Sequence, residues 1–415
     1  MLNAIGKSFI ALLLIASLHA QAQMPISTET YHATLDMQGQ QLGFQLELEI
    51  TANSSEAYAP LNFTLVNGVE QIAGEVIKRN DSFVCIMPVF NTEIVFVGDN
   101  HLQEIHGRWY DHSRQGNYFL PFKATQISQD EKRYRYFKQL TAPKANISGT
   151  FAVAFNDGES TDNTVGIFEQ KNNYLTGTFL TTTGDYRFLE GEVSGDKFYL
   201  SAFDGSHAFI FQGKIISNDS IIGVFYSGIH YLSLFNGKRD ANAKLPDESK
   251  LTFLKPGYDK ISFSFPDENG KMVSLDDAKF SNKAVIVTIT GSWCPNCMDE
   301  SSYLSEVEDK YKKQGLEIIA LSFERKTDPE TFAWSINKVR THFGTDFTYL
   351  NAGLPKTAGD ALPMLNKVMG FPTMILLDRN HQVVAIHTGF SGPATGKLFL
   401  DFQTKFEEEL SRALK

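Results

Sequence analysis

The fold of the C-terminal part is decided by residues 284–300, which read AVIVTITGSWCPNCMDE. Residues 284–290 are apolar and mostly β-branched, which predicts a buried strand. Cys294 and Cys297 follow that strand and open a helix. Unpaired N–H groups and the helix dipole at such an N-terminus stabilise a thiolate, so we expect Cys294 to be the nucleophilic sulfur. Cys297 lies about one helical turn further on, where its sulfur can reach the first and close an exchangeable disulfide.

Strand and helix patterns alternate after this motif. Strands are predicted over residues 316–323, 374–378 and 383–387, the last two as a hairpin, and helices over residues 300–313, 329–343 and 397–414. Strand, helix, strand, helix, hairpin and helix is the order of an α/β layered domain. We therefore expect an α/β domain over residues 255–415.

The region before it, residues 28–238, predicts an all-β fold. Apolar and polar residues alternate in runs such as residues 42–50, and clusters of Asn, Asp, Gly and Ser separate the runs. Segments also recur at an offset of roughly 115 residues. The recurring pairs are residues 74–76 with 191–193, 105–110 with 221–226, and 117–122 with 230–235. The recurrence predicts a duplicated unit, each copy forming a sandwich or a barrel.

The start of the chain predicts export. Lys7 is followed by an apolar run over residues 9–16, and Ala20 and Ala22 suit signal-peptidase cleavage after Ala22. The run is too short to span a bilayer, and no Cys follows it closely to carry a lipid anchor. A buried N-terminal helix is the alternative. We therefore expect a periplasmic protein without a lipid anchor.

Length and charge add two expectations. A chain of 415 residues is too long for one compact core. The predicted divisions are a signal peptide at 1–22, β-rich halves at 24–145 and 146–240, a linker at 241–254 and the α/β domain at 255–415. The net charge of −10 argues against nucleic acid as a partner, because nucleic-acid binding requires basic patches.

A Cys-x-x-Cys pair is also half of a zinc site, but zinc needs two further Cys or His ligands. The third cysteine, Cys85, belongs to the β-rich region, and no His pair lies near in sequence. We therefore expect no metal and no cofactor, and we expect Cys85 to be a small buried apolar residue.

Residues 255–415 resemble the thioredoxin superfamily, and most of all its exported thiol–disulfide oxidoreductases of the TlpA/ResA type. The resemblance rests on Trp293-Cys294-Pro295-Asn296-Cys297, on Glu300, on Gly370-Phe371-Pro372-Thr373 before the hairpin, and on the segment over residues 265–275.

The resemblance implies a role for each matching residue. Cys294 and Cys297 form the redox-active disulfide, with Cys294 attacking and Cys297 resolving. Pro372 is a cis-proline whose loop lies against the disulfide and pairs with the substrate backbone. Glu300 is a buried carboxylate with a raised pKa that moves protons. The substrate-binding residues are Trp293, Pro295, Phe371 and Thr373.

Simpler interpretations stand beside these roles. Glu300 can be a solvated acid that favours the helix N-terminus. Trp293 and Phe371 can serve packing alone. Thr288 occupies the position of a buried Asp in cytosolic thioredoxins, which leaves Glu300 as the proton-handling group.

The resemblance implies a dithiol enzyme that reduces disulfides of exported proteins and is recharged by a membrane electron donor. Many such reductants place Pro directly before the second Cys, whereas here Pro295 follows the first and Asn296 precedes the second. Oxidation and isomerisation therefore remain open directions. A second hypothesis makes the β-rich region a binding module for a protein or ligand, with the redox domain accessory. A peroxidase is a third, although peroxidases of this fold use a different local pattern.

Overall fold

The structure is a computed structural model that describes residues 26–51, 59–128 and 136–415. The predicted signal peptide, residues 1–22, lies outside the described residues. Among the described helices, none combines the length and apolar character that a membrane crossing needs.

The first β-rich part is a closed eight-stranded barrel. Its strands are β1 (Ile26–Met37), β2 (Gln40–Thr51), β3 (Ala59–Asn67), β4 (Glu70–Arg79), β5 (Ser82–Ile86), β6 (Thr92–Gly98), β7 (Glu104–Asp111) and β8 (Phe119–Ile127). Consecutive strands pair antiparallel, and β1 also pairs with β8, which closes the ring. Alternate residues point inward, so the run Leu42, Phe44, Leu46, Leu48 and Ile50 lies on the buried face of β2.

The second β-rich part is a ring of the same kind. Its strands are β9 (Gly149–Asn156), β10 (Thr161–Lys171), β11 (Tyr174–Thr181), β12 (Gly184–Asp185), β13 (Leu189–Ser194), β14 (Lys197–Phe203), β15 (Ala208–Ser217), β16 (Ser220–Ser227) and β17 (Tyr231–Arg239). β9 pairs with β17 and β10, and β10 pairs with β11, which closes the ring; the short β12 is an addition beside β11. Aromatic side chains fill its interior: Phe151, Phe155, Phe168, Phe179, Phe211, Phe225 and Phe235.

The all-β prediction is confirmed, and closed barrels form rather than sandwiches. The recurring sequence segments fall on β4 and β13, on β7 and β16, and around β8 and β17. These pairs are the fourth, seventh and eighth strands of the two rings. The domain divisions at 145/146 and 240/241 stay predictions; β8 ends at Ile127 and β9 begins at Gly149.

The two barrels are joined by buried hydrogen bonds. The Asn67 side chain donates to Phe203 O at 3.0 Å and accepts from Phe203 N at 3.1 Å. The Ser201 hydroxyl donates to Gly43 O at 2.6 Å. These bonds satisfy polar groups that would otherwise be buried without partners, and they fix one barrel against the other.

The C-terminal domain contains a five-stranded sheet in the order β22, β21, β20, β23, β24. Its elements are β18 (Ser264–Pro266), β19 (Met272–Ser274), β20 (Ala284–Thr290), α1 (Pro295–Tyr311), β21 (Leu316–Phe323), α2 (Pro329–Phe343), β22 (Thr348–Gly353), α3 (Ala358–Ala361), β23 (Thr373–Leu377), β24 (Val383–Thr388) and α4 (Lys397–Ala413). β20, β21 and β22 are parallel, and β23 runs antiparallel to β20. The strands β20 and β21 and the helix α2 have the predicted bounds.

The C-terminal domain packs directly on the barrels. Lys338 on α2 donates to Met87 O and Phe90 O of the first barrel, both at 2.8 Å. Burial lowers the pKa of Lys338 to about 8. Arg325 donates to the Ser113 hydroxyl at 2.6 Å. The first barrel therefore packs on α2 and on the segment that follows β21.

Candidate active site

Cys294 and Cys297 form a disulfide at the start of α1, with Cα atoms 5.2 Å apart. Cys294 is the N-cap, and its sulfur accepts a hydrogen bond from the Cys297 backbone N–H at 3.2 Å. Pro295 stands at the first helical position, where no N–H is required. The same N–H and the helix dipole favour a thiolate on Cys294 once the disulfide is reduced. Cys294 is 5% exposed and Cys297 is 0% exposed, so Cys294 is the outer sulfur.

The loop over residues 370–373 lies against the disulfide. The Phe371–Pro372 peptide bond is cis, and Phe371 O lies 3.7 Å from Cys294 Sγ. The Thr373 hydroxyl donates to Gly370 O at 2.9 Å, and its side chain is fully buried. Thr373 thus holds the loop in shape, and its predicted contact with a substrate stays a prediction.

Trp293 forms one wall of the site. Its ring meets the Phe371 ring edge-on, with centroids 5.5 Å apart. Its indole N–H donates to Phe323 O at 2.9 Å, and the Arg325 guanidinium lies 4.9 Å from its ring centroid. Both aromatic rings are half-buried. The two rings therefore pack on each other, and both residues also lie next to Cys294.

Glu300 is 1% exposed, so the interpretation as a solvated acid is wrong. The Thr288 hydroxyl donates to Glu300 Oε2. Within the described part of the chain, Glu300 Oε1 has no hydrogen-bond partner. Burial raises the pKa of Glu300 to about 7, against the opposing effects of the Thr288 hydroxyl and the charge of His387. Glu300 lies three residues after Cys297 on α1, hence on the same helix face.

His387 is a buried ionisable group that the sequence analysis missed. It lies on β24, 2% exposed, with Nε2 2.7 Å from Glu409 Oε2 and Nδ1 3.1 Å from Glu248 Oε2. Burial opposes its charge, but the two carboxylates outweigh burial and raise the pKa of His387 to about 9. The only signal in the sequence is a histidine at the end of an apolar strand, Val383–Thr388.

Across the sheet, Thr288 pairs with Met374, and Met374 pairs with His387. Residues opposite each other in such a ladder point to the same face. Thr288, which bonds Glu300, and His387 therefore share the sheet face that packs on α1 and α4.

Arg187 was also missed, and it joins both barrels to α1. Its Nη1 donates to Asp299 Oδ2 at 2.7 Å and to Pro295 O at 3.3 Å. Its Nη2 donates to Glu70, and its Nε lies 3.5 Å from Asp204 Oδ2. The Arg187 side chain is 11% exposed. Burial raises the pKa of Asp299 to about 7, against the charge of Arg187.

Cys85 lies in the first barrel and is not bonded to either cysteine of this site. It is unpaired and fully buried on β5, where burial raises the pKa of its thiol. Among the residues that the structure describes, no group of three or more potential ligands is placed to hold a metal ion.

Comparisons with known proteins show what this chain is similar to. Residues 242–397 match the protein family described as Redoxin. A thiol-disulfide oxidoreductase ResA of Geobacillus kaustophilus is 33% identical over 144 residues, which is 34% of this chain and 74% of that protein. A ResA of Bacillus cereus is 38% identical over 73 residues, which is 18% of this chain and 41% of that protein. The crystal structure of a putative thiol:disulfide interchange protein DsbE from Chlorobium tepidum is 25% identical, with a TM-score of 0.30, covering 39% of this chain and 100% of that one.

The C-terminal domain, which has its Cys pair at the start of α1, is a member of the thioredoxin superfamily. Within it, the chain belongs to the ResA-like thiol–disulfide oxidoreductases. The residues that match the Redoxin family, 242–397, include the Cys pair and the cis-proline loop, and the chain spans about two-fifths of the Bacillus cereus relative. The activity and partners of the whole protein are therefore treated as proposals below.

Proposed function

We propose that this chain is an exported enzyme whose reduced Cys294 attacks disulfides of exported proteins. The observation that carries the proposal is the position of Cys294. Its sulfur caps α1, is bonded to Cys297 and lies 3.7 Å from Phe371 O of the cis-proline loop. A sulfur held by a helix N-terminus is stabilised as a thiolate and as a leaving group, which favours exchange in both directions.

The reaction proceeds through a mixed disulfide. The Cys294 thiolate attacks one sulfur of the substrate disulfide, whose S–S bond breaks, and the released substrate thiolate takes up a proton. Cys297 then loses its proton and attacks Cys294 Sγ, which forms the Cys294–Cys297 disulfide and frees the second substrate thiol. Two electrons pass to the substrate, and a membrane electron donor restores the dithiol.

Glu300 supports the second step as the group that accepts the Cys297 proton. It shares a helix face with Cys297, and its pKa is raised to about 7 by burial. A carboxyl group with a pKa near the working pH can take up and release a proton in each cycle.

Three variants test the proposal with a purified protein and a disulfide substrate. Cys294→Ser should abolish reduction, and Cys297→Ser should accumulate a mixed disulfide through Cys294. Cys85→Ala is the matched control and should retain full activity, because Cys85 lies buried in the first barrel. Full activity of Cys294→Ser would disprove the proposal.

The direction of electron flow is proposed to be reductive, and the reduction potential of the Cys pair tests it. A value near about −270 mV supports a reductant, whereas one near about −120 mV identifies an oxidant. Export is tested separately by fractionating cells that express the full chain and sequencing the mature N-terminus. We expect it to begin at Gln23, in the periplasmic fraction.

A further inference from the structure

The turn between β11 and β12 lies against the segments that surround the disulfide. We define the covering turn as Thr182 and Thr183 together with Gly184, the first residue of β12. It belongs to the second barrel, yet it contacts Asn296 between the two cysteines and Gly370 before the cis-proline.

The covering turn and the C-terminal domain approach each other closely at three glycines. A Cβ atom added to Gly184 would lie 1.8 Å from Asn296 Nδ2, and one added to Gly370 would lie 2.2 Å from Thr183 Cγ2. A Cβ atom added to Gly389, which follows β24, would lie 2.7 Å from Thr182 O. Such distances are well inside van der Waals contact, so the turn is seated directly on the C-terminal domain.

Polar bonds fix the turn in this position. Asp185, the next residue, accepts a hydrogen bond from Gly392 N at 2.7 Å. Arg187 donates to Pro295 O and to Asp299, as described above. In the loop between β14 and β15 of the same barrel, the Ser206 hydroxyl donates to Trp293 O at 3.3 Å. Buried charged contacts of this kind are costly to break one partner at a time.

The covering turn limits access to Cys294, which is 5% exposed. Thiol exchange requires an incoming sulfur to touch Cys294 Sγ. The covering turn approaches both Asn296, between the two cysteines, and Gly370, before the cis-proline, which is the side where the family resemblance places the substrate backbone. A disulfide on a folded surface brings neighbouring chain with it, and that chain would collide with the turn.

We propose that the covering turn is a specificity determinant. It admits to Cys294 a disulfide carried by a small molecule or by an unfolded chain, and it excludes one held on the surface of a folded protein. This inference rests on the proposed function, and it names the substrate class of the same site.

Access can be measured without catalysis, by alkylating the single remaining thiol of a reduced Cys85→Ala/Cys297→Ser protein. Iodoacetamide is the small reagent, and a polyethylene-glycol maleimide of several kilodaltons is the large one. Thr183→Tyr should push the turn away from Gly370 and raise the ratio of large-reagent to small-reagent rates by about tenfold, because a site reacts in proportion to the fraction that is open.

The matched control is Lys171→Tyr, which adds the same ring beyond the other end of β11, where the Lys171 side chain is 74% exposed. It should leave the ratio unchanged. If Thr183→Tyr does not fold, Thr183→Gly removes the contact with Gly370 and should raise the ratio in the same direction. An unchanged ratio in the folded Thr183 variant, or an equal rise in the control, overturns the proposal.

A second assay separates this inference from the proposed function. Proteins with both cysteines intact are compared on a small aromatic disulfide and on insulin. We expect Thr183→Tyr to raise the insulin rate relative to the small-disulfide rate. If neither substrate is reduced although the alkylation ratio rises, the proposed function fails. If both are reduced and the alkylation ratio does not change, the specificity role fails.

Discussion

The Thr288 hydroxyl donates a hydrogen bond to the Glu300 carboxylate, twelve residues later in the chain, in the buried space between β20 and α1. This bond satisfies one oxygen of a carboxyl group that is 1% exposed, and the other oxygen has no hydrogen-bond partner among the described residues. Burial destabilises the charged form of Glu300, whereas the hydroxyl and the charge of His387 stabilise it. Their balance sets the pH at which Glu300 can take a proton.

Glu300→Gln should remove the pH dependence from the rate at which Cys297 resolves the mixed disulfide. In the native protein the rate of this step should rise as the pH passes about 7, because the carboxylate then accepts the Cys297 proton. The variant should lose this rise and be slower at pH 8 by about a hundredfold. Single-turnover release of a small thiol from Cys294 measures it.

The control for this variant is Glu306→Gln, which alters an exposed residue on the same helix. It should keep both the rate and the pH profile. An inflection near pH 7 that persists in Glu300→Gln would assign the proton to another group.

Thr288→Val should move the same inflection to higher pH. The substitution removes the donor that lowers the pKa of Glu300, and it leaves burial, which raises that pKa, in place. Thr288→Ser keeps a hydroxyl and should keep the native profile. In a Glu300→Gln background, Thr288→Val should have no further effect on the profile, and a shift there would contradict the assignment.

His387→Gln should change how stability depends on pH. The folded pKa of His387 is raised from 6.5 to about 9, so the charged form stabilises the folded state fully below pH 6.5, and the stabilisation is lost as pH rises through about 9. A shift of this size corresponds to about 3 kcal/mol. Denaturant unfolding at several pH values should therefore show a loss above pH 7 that the variant lacks.

His230→Gln, at an exposed turn of the second barrel, is the control and should keep the native pH dependence. Parallel curves for the native protein and His387→Gln across this range would show that Glu248 and Glu409 do not hold the imidazole in its charged form.

Arg187→Gln should destabilise the protein by about 3–5 kcal/mol, because it leaves Glu70, Asp204 and Asp299 buried without their cation. Arg79→Gln makes the same change at a pair with Glu93 in which the arginine side chain is 49% exposed, and it should cost about 0–1 kcal/mol. Denaturant unfolding at neutral pH compares them. Equal losses would mean that the buried cluster contributes no more than a surface pair.

The sequence predicted those elements whose signal is local. β20 and β21 are continuous apolar runs in the centre of the sheet, and their bounds agree with the prediction. α2 begins after Asp328, whose side chain accepts from Thr331 N, and has Pro329 in its first turn. By contrast, β22 was not predicted, since it is a short strand at the edge of the sheet that pairs with β21 and forms one further bridge, between Leu350 and Asp267.

Only those site residues that lie close together in the sequence could be predicted from it. Cys294, Cys297 and Glu300 lie within one helix and its cap, so their spacing is readable. His387 lies 139 residues from Glu248, and Arg187 lies 117 residues from Glu70. No periodicity or spacing links residues so far apart. Packing of the short helix Glu248–Lys250 on β24 brings Glu248 to His387, and packing of one barrel on the other brings Glu70 to Arg187.

Closure of the barrels limits how this chain can hold another polypeptide. In the described residues, each of the eight strands of either ring pairs with a neighbouring strand on both sides. An open sheet can add a strand from a partially unfolded client, and it can also recruit a second copy of itself into an aggregate. The barrel walls offer neither opportunity. A polypeptide that contacts the barrel walls therefore meets side chains and loop tips rather than an open strand edge.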